Sequence, residues 1–141
     1  MEITDEEGVM AEFMDVISEW IEETETKIDD VLQTIVIQVG KSVVTLSPVD
    51  TGLFRGNWQL TVGEGSTASR LRYDQEGDET LAEIAKKANS FTAGQVAYIQ
   101  NHVLYGYDLE YGYSNQAPEG IVRITAVQFN RIVEEAVRLN V

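Results

Sequence analysis

The 141-residue chain has no cysteine, so neither disulfides nor thiolate metal sites contribute to it, and its stability rests on packing and association. Histidine is nearly absent as well. The single one, His102, has no cysteine for a nucleophilic pair and no second histidine for a closely spaced metal-ligand cluster. Basic residues are scarce: ten Lys and Arg stand against 24 Asp and Glu, a net charge of −14. Binding phosphates through a general basic face needs Lys and Arg to displace counterions, so sequence-specific DNA recognition is not expected. There is no Gly-x-x-x-x-Gly-Lys phosphate loop. The densest apolar run, Ile35-Val36-Ile37, is far too short to cross a bilayer, and no basic stretch followed by an apolar core opens the chain. A soluble protein, made and used in the cytoplasm and without a membrane partner, is the expectation.

What is present suits one compact unit, since 43% hydrophobic residues over this length are enough for a core. The charge is unevenly placed. Met1 to Asp30 holds twelve acids against Lys27 alone, a net of −11, whereas Thr51 to Val141 holds eleven acids against eight bases, a net of −3. Such a segment is a solvated helix face that aids solubility, an acidic wall that keeps DNA from sticking in a channel, or a mimic of DNA charge. Thr4 and Glu7 have the spacing of a capping box, so a helix is expected to start there. Phe13, Ile17, Trp20, Ile21, Ile28, Val31, Leu32, Ile35, Val39, Val43 and Leu46 then recur at steps of three or four, one apolar stripe. If continuous, about 40 residues make a rod on the order of 60 Å long, wider than a domain of this size, so part of it projects or breaks. The polar run Glu22-Glu23-Thr24-Glu25-Thr26 interrupts the stripe and marks two helical halves, collinear or bent. Because Phe13, Ile17, Trp20 and Ile21 lie beyond that run, a neighbouring subunit is expected to cover them.

Ser47 to Gln59 is where the chain reverses. Pro48 ends the helix near Leu46, while Gly52 and Gly56 permit backbone angles that other residues resist. Asp50 is placed to cap a short helical turn and to pair with Arg55, and no His, Cys or Lys lies in the stretch to act on a substrate. Trp58 to Val62 alternates as a half-buried strand, and Ser66 to Gly77 reads as an exposed loop or a hairpin extension, a candidate for facing a partner. Asp78 or Thr80 is expected to cap a short helix through Ala88, and Gln95 to Gln100 is expected to form a second strand. Tyr105, Tyr107, Tyr111 and Tyr113 stand at strand spacing, which fits core packing with hydroxyls at the surface better than a ligand-binding cage, and fits a subunit interface equally well. Asp108 and Glu110 share a face if that segment is a strand, leaving an acid–base pair open, although an edge or buried-pair role is the simpler one. Pro118 and Gly120 introduce a closing helix. The sum is an α+β fold: a long acidic N-terminal helical segment over 1–46, then an α+β domain over 47–141 with a small, mainly antiparallel sheet covered by helices and a C-terminal helix, all one structural unit.

Two ordered stretches carry a resemblance. Pro48-Val49-Asp50-Thr51-Gly52 with Arg55 and Trp58 is followed by Tyr98-Ile99-Gln100-Asn101, Tyr105, Leu109-Glu110-Tyr111-Gly112, Gln116-Ala117-Pro118 and Gly120-Ile121-Val122-Arg123. In order and approximate spacing this resembles the minor tail-component, or tail-completion, family of tailed bacteriophages, over roughly Ser47 to Val137. The resemblance implies a virion protein of the head-to-tail neck, without enzymatic activity, cofactor or metal, in a ring of six or twelve copies around the DNA channel beside other neck and tail proteins. It marks Pro48, Asp50, Thr51, Gly52, Arg55, Trp58, Tyr105, Glu110, Tyr111, Gly112 and Pro118 as structural or interface residues; the uncovered stripe adds Phe13 and Trp20. A tail terminator or head-completion stopper is the alternative in the same particle, and an acidic DNA-mimic binding module the alternative outside it.

Overall fold

The computed structural model describes residues 2–112, 115–117 and 119–141, with side chains from Glu7 onward. Helix α1 runs unbroken over Glu2–Leu46, 45 residues, or roughly 68 Å. It begins two residues before Thr4, so Thr4 lies in its first turn and is not the cap. The polar run does not interrupt it either. The hydroxyls of Thr24 and Thr26 donate to the carbonyls of Trp20 (2.8 Å) and Glu22 (2.9 Å), so these residues are satisfied inside the helix. The two halves differ in what covers them. Among the described residues, the first hydrogen bonds from α1 to the rest of the chain come at Asp29, whose carboxylate accepts the Ala93 N–H (2.9 Å), and at Gln33, whose amide donates to the Phe91 carbonyl (3.0 Å). Below that point α1 carries Val36, Val43 and Val44 into the core; above it the helix projects.

After a 3₁₀ turn at Arg55–Asn57 come β1 (Gln59–Val62), α2 (Asp78–Ala88), β2 (Ala97–Gln100), α3 (Gly106–Glu110), α4 (Val122–Val127) and α5 (Phe129–Asn140). The strands form a two-stranded antiparallel sheet with Gln59 opposite Gln100 and Val62 opposite Ala97. The core joins Val36, Val43 and Val44 of α1 to Phe54, Trp58, Leu60 of β1, Ile84 and Ala88 of α2, and Ile121. Packing is close where α1 crosses α2: a methyl on Gly40 would stand 2.8 Å from Ile84 Cγ2. The other side of α1 takes α5, which buries Ile132 and Ala136. Thus the α+β fold, the long first helix, the small antiparallel sheet and the C-terminal helix all stand as expected.

Three local expectations do not. Helix α2 is capped by neither Asp78 nor Thr80 but by Asp74, whose carboxylate accepts from the backbone N–H of Gly77 (3.0 Å) and Thr80 (2.8 Å) and from the Thr80 hydroxyl (2.7 Å). A carboxylate one turn upstream reaches the orphan donors from outside the helix, which a residue within it does not. The segment from Ser66 to Gly77 is the exposed loop expected, without regular structure, and it is tied to the domain by its arginines. Arg70 pairs with Glu83 (2.8 Å), and Arg72 binds Glu83 and donates through Nε to the Gly56 carbonyl (2.8 Å), while most of the segment, Leu71 at 84% among it, is exposed. The tyrosine segment is helix α3 and not a strand, with the Tyr107 and Tyr111 rings 4.6 Å apart at i, i+4 spacing. Finally, the closing element is two helices, α4 and α5, meeting at Gln128. Tyr113 and Pro118 lie outside the described residues.

Candidate functional site

The corner after α1 is built by polar side chains that serve the backbone. The last carbonyls of a helix have no partner within it. Arg55 supplies one: its guanidinium donates to the carbonyls of Thr45 (3.2 Å), Ser47 (2.8 Å) and, across the corner, Gln75 (2.8 Å). The Ser47 hydroxyl donates to the Val43 carbonyl (2.6 Å) and accepts from Trp58 Nε1 (2.6 Å), both buried. Asn57 donates to the Leu53 carbonyl (2.6 Å) and accepts the Arg70 N–H (2.8 Å). The two glycines are obligatory. Gly52 has φ +90° and a Cβ there would lie 2.6 Å from the Gln75 nitrogen; at Gly56 it would lie 2.2 Å from the Arg72 carbonyl oxygen.

Asp50 does not do what its position in the sequence suggests. Its carboxylate forms no ion pair with Arg55, which is held instead by three carbonyls, and the Leu53 N–H is taken by the Thr51 hydroxyl (3.3 Å). Asp50 is exposed on the rim of the corner. Asp50→Ala is therefore expected to change stability by no more than about 0.5 kcal/mol, whereas Arg55→Met, which takes the donor from three carbonyls, that of Ser47 partly buried, is expected to cost about 1–2 kcal/mol. Urea unfolding of both variants checks the contrast.

The two motifs meet at this corner. The Gln116 side chain accepts the Val49 N–H (2.9 Å) and donates to the Val49 carbonyl (3.1 Å), closing a two-bond clamp between residues far apart in the chain. Asn101 adds a second tie by donating to the Phe54 carbonyl (2.8 Å). Between them opens a cleft of about 540 Å³ lined by Pro48 to Phe54, Tyr73, Tyr105, Leu109 and Gln116. Pro48, Asp50, Thr51, Gly52 and Tyr105 thus share one surface. Burial pushes the Tyr105 phenol above its ordinary value, and the Asp50 carboxylate pushes in the same direction. Trp58, 4% exposed, lies beneath the cleft with its ring edge-on to Phe54 at 5.6 Å.

Glu110 is a second anchor. Its carboxylate accepts the backbone N–H groups of Ile121 (2.6 Å), Val122 (2.9 Å) and Arg123 (2.9 Å), capping α4 from α3. Arg123 closes the arrangement by binding Glu110 and lying over the Tyr111 ring, 4.7 Å from its centre. Gly112, at φ +87°, then turns the chain. In helical backbone Asp108 and Glu110 point about 200° apart, so the shared face that an acid–base pair needs is absent.

Burial raises the Glu110 pKa, but the three backbone donors and Arg123 outweigh it and hold it below the model-compound value of 4.5. A depressed carboxylate contributes stability that is full above its unfolded pKa and is lost as pH falls through the folded one. Glu110→Gln should therefore be less stable than the parent at neutral pH, by about 1–3 kcal/mol, and the gap should narrow steadily below about pH 4.5. Thermal melts of the pair across that range test it; a gap independent of pH would remove the carboxylate from this role.

Comparison with known proteins adds no relative. No family model, curated protein or solved structure matches the chain. Among the described residues no group of three or more His, Asp and Glu could hold a metal, and no helix is long and apolar enough to cross a membrane. The remaining predicted residues, Phe13 and Trp20, lie away from the corner on the projecting half of α1, 58% and 65% exposed. Sequence reasoning assigned no role to Ser47, Asn57 and Asp74, and placed Gln116 in a motif without its clamp, since these roles depend on backbone groups distant in sequence. Only Asp74, three residues ahead of Gly77 and six ahead of Thr80, leaves a local trace.

Proposed function

We propose that the chain is a structural subunit of the head-to-tail neck of a tailed bacteriophage, a tail-completion protein that closes into a ring around the DNA channel and joins tail to head. The observation that carries this reading is the projecting half of α1, a helix with a broad apolar face that its own chain leaves uncovered. Soluble monomers rarely expose such a face, and large ones mark association. The corner supports the reading in a second way. The residues that resemble the tail-component family assemble into one rigid joint at the base of that helix, through Arg55, Trp58 and the Gln116 clamp, so the arm leaves the domain at a set angle. A cyclic assembly needs such constancy to close. Six or twelve copies, with neighbouring neck and tail proteins as partners, follow from the resemblance, as does a place in the virion. A DNA mimic would have no use for the apolar face.

The test is a cryo-electron microscopy map of the particle neck, together with the phenotype of particles lacking the protein. Density for a ring of this fold, with full-length tails that fail to join heads, is the expected result. Tails of abnormal length would assign a terminator instead, and contact with the portal adaptor a stopper. Absence of the protein from the neck overturns the proposal.

A further inference from the structure

We infer that the projecting half of α1 self-associates, forming a left-handed supercoiled bundle with the same segment of other copies of this chain. The seam stands on α1 alone and does not depend on the neck reading. Met14, Ile21 and Ile28 recur every seven residues, and Met10, Ile17 and Thr24 recur in a second series four residues before each member of the first. A strict seven-residue repeat differs from the 3.6-residue turn and keeps facing a partner only if the helices supercoil. Below this segment the buried positions move to Val36, Gly40 and Val43, out of that register. Both series run on through Val31 and Ile35, which are partly exposed, and end at Gln38 and Ser42, where the domain's own buried positions take over.

Exposure, charge and area favour a second copy as the occupant. Met10, Phe13, Met14, Trp20, Ile21 and Ile28 are 44% to 65% exposed, though they occupy one arc of about 120° on the helix. Thr24, the polar member of the seam, is already satisfied by the Trp20 carbonyl and adds no unpaired hydroxyl. The positions flanking the seam from Ala11 to Lys27 carry Ala11, Phe13, Ser18 and Trp20, with Glu25 and Lys27 as the only charges. The other acids, among them Glu12, Asp15, Glu19, Glu22 and Glu23, fall on the opposite arc. Seam edges this poor in charge call for a neutral apolar partner, and the segment is itself such a surface. The exposed apolar area is on the order of 700 Å² per chain, close to the ~800 Å² that each partner gives to a stable interface. β-Branched residues in both repeat series, Ile21 and Ile28 in one and Ile17 in the other, favour three or more helices over two.

Sedimentation equilibrium of the full chain at low and moderate salt tests the inference. Assemblies of three or more copies are expected, and they should tighten as salt rises, because the outer acids repel one another while the seam is uncharged. Ile17→Asp/Ile21→Asp should be monomeric with the parent's thermal melt, and Glu12→Gln/Glu19→Gln on the outer arc should still associate. A parent chain that stays monomeric up to roughly 100 μM, association that weakens with salt as docking to a basic partner would, or a seam variant that associates like the parent would each overturn it. Loss of a cooperative melt in the seam variant would also do so, since the segment would then belong to the domain's own core.

Discussion

Trp58→Ala is expected to destabilise the protein by about 3–5 kcal/mol, lowering the melting temperature by about 10–20 °C. Trp58 is 4% exposed and packs edge-on against Phe54, so truncation opens a cavity where α1, the 3₁₀ turn and β1 converge. It also takes the indole N–H from the buried Ser47 hydroxyl. Ser47 keeps its own donation to the Val43 carbonyl, so its oxygen loses an acceptor role and not both bonds. Trp58→Phe should separate the two contributions, retaining most of the apolar volume while losing the hydrogen bond, at a cost of about 1–3 kcal/mol. Denaturant midpoints for both variants decide the matter. An alanine variant within about 1 kcal/mol of the parent would place Trp58 outside the cooperative core.

Deleting Met1 to Glu23 should leave a folded domain that melts cooperatively and no longer assembles. Every α1 residue in the hydrophobic core, from Val36 through Val44, lies beyond the cut, as do the ties from Asp29 and Gln33 to the segment after α2. The removed stretch holds Phe13, Ile17, Trp20 and Ile21, whose burial by a partner is worth about 1.5–3 kcal/mol each before entropy costs, enough to drive association. Circular dichroism melts and particle-joining assays should part company, the first nearly unchanged and the second abolished. If the shortened chain fails to fold, the arm belongs to the domain's own core. Assembly would then fall to the outward residues of the segment after β1, such as Leu71, or to the tyrosine-rich turn at α3.

Asp50 and Asp74 illustrate how far the sequence could be read. Asp50 stands where a cap and an ion partner for Arg55 are expected, yet Arg55 reaches the end of α1 and Gln75 instead, because unsatisfied helix carbonyls compete for a guanidinium better than an exposed, solvated carboxylate does. Asp74 lies in a stretch without apolar period and nonetheless caps α2, since the loop returns its carboxylate to Thr80. Tyr105 to Tyr111 misleads for a different reason: tyrosines two apart suit a strand, but Tyr107 and Tyr111 are also four apart, and local spacing alone does not choose between the periods. Gln116 belongs to a recognisable motif, but nothing among its neighbours names its partner. Its clamp on Val49 exists only once the two stretches are side by side.

The amino-acid sequence by itself determined the long helix, its stop before Pro48, the corner, the two short strands and the closing helical region, because apolar period, proline and glycine act over a few neighbouring residues. It also determined that the acids crowd the first thirty positions. Only the tertiary structure decided that α1 is continuous through its polar run, that Glu110 caps α4 while Asp50 remains free of Arg55, and that Phe13 and Trp20 lie uncovered. Those outcomes depend on which distant backbone groups arrive within hydrogen-bonding reach and on where the domain's core ends, and a pattern of neighbours along the chain carries neither.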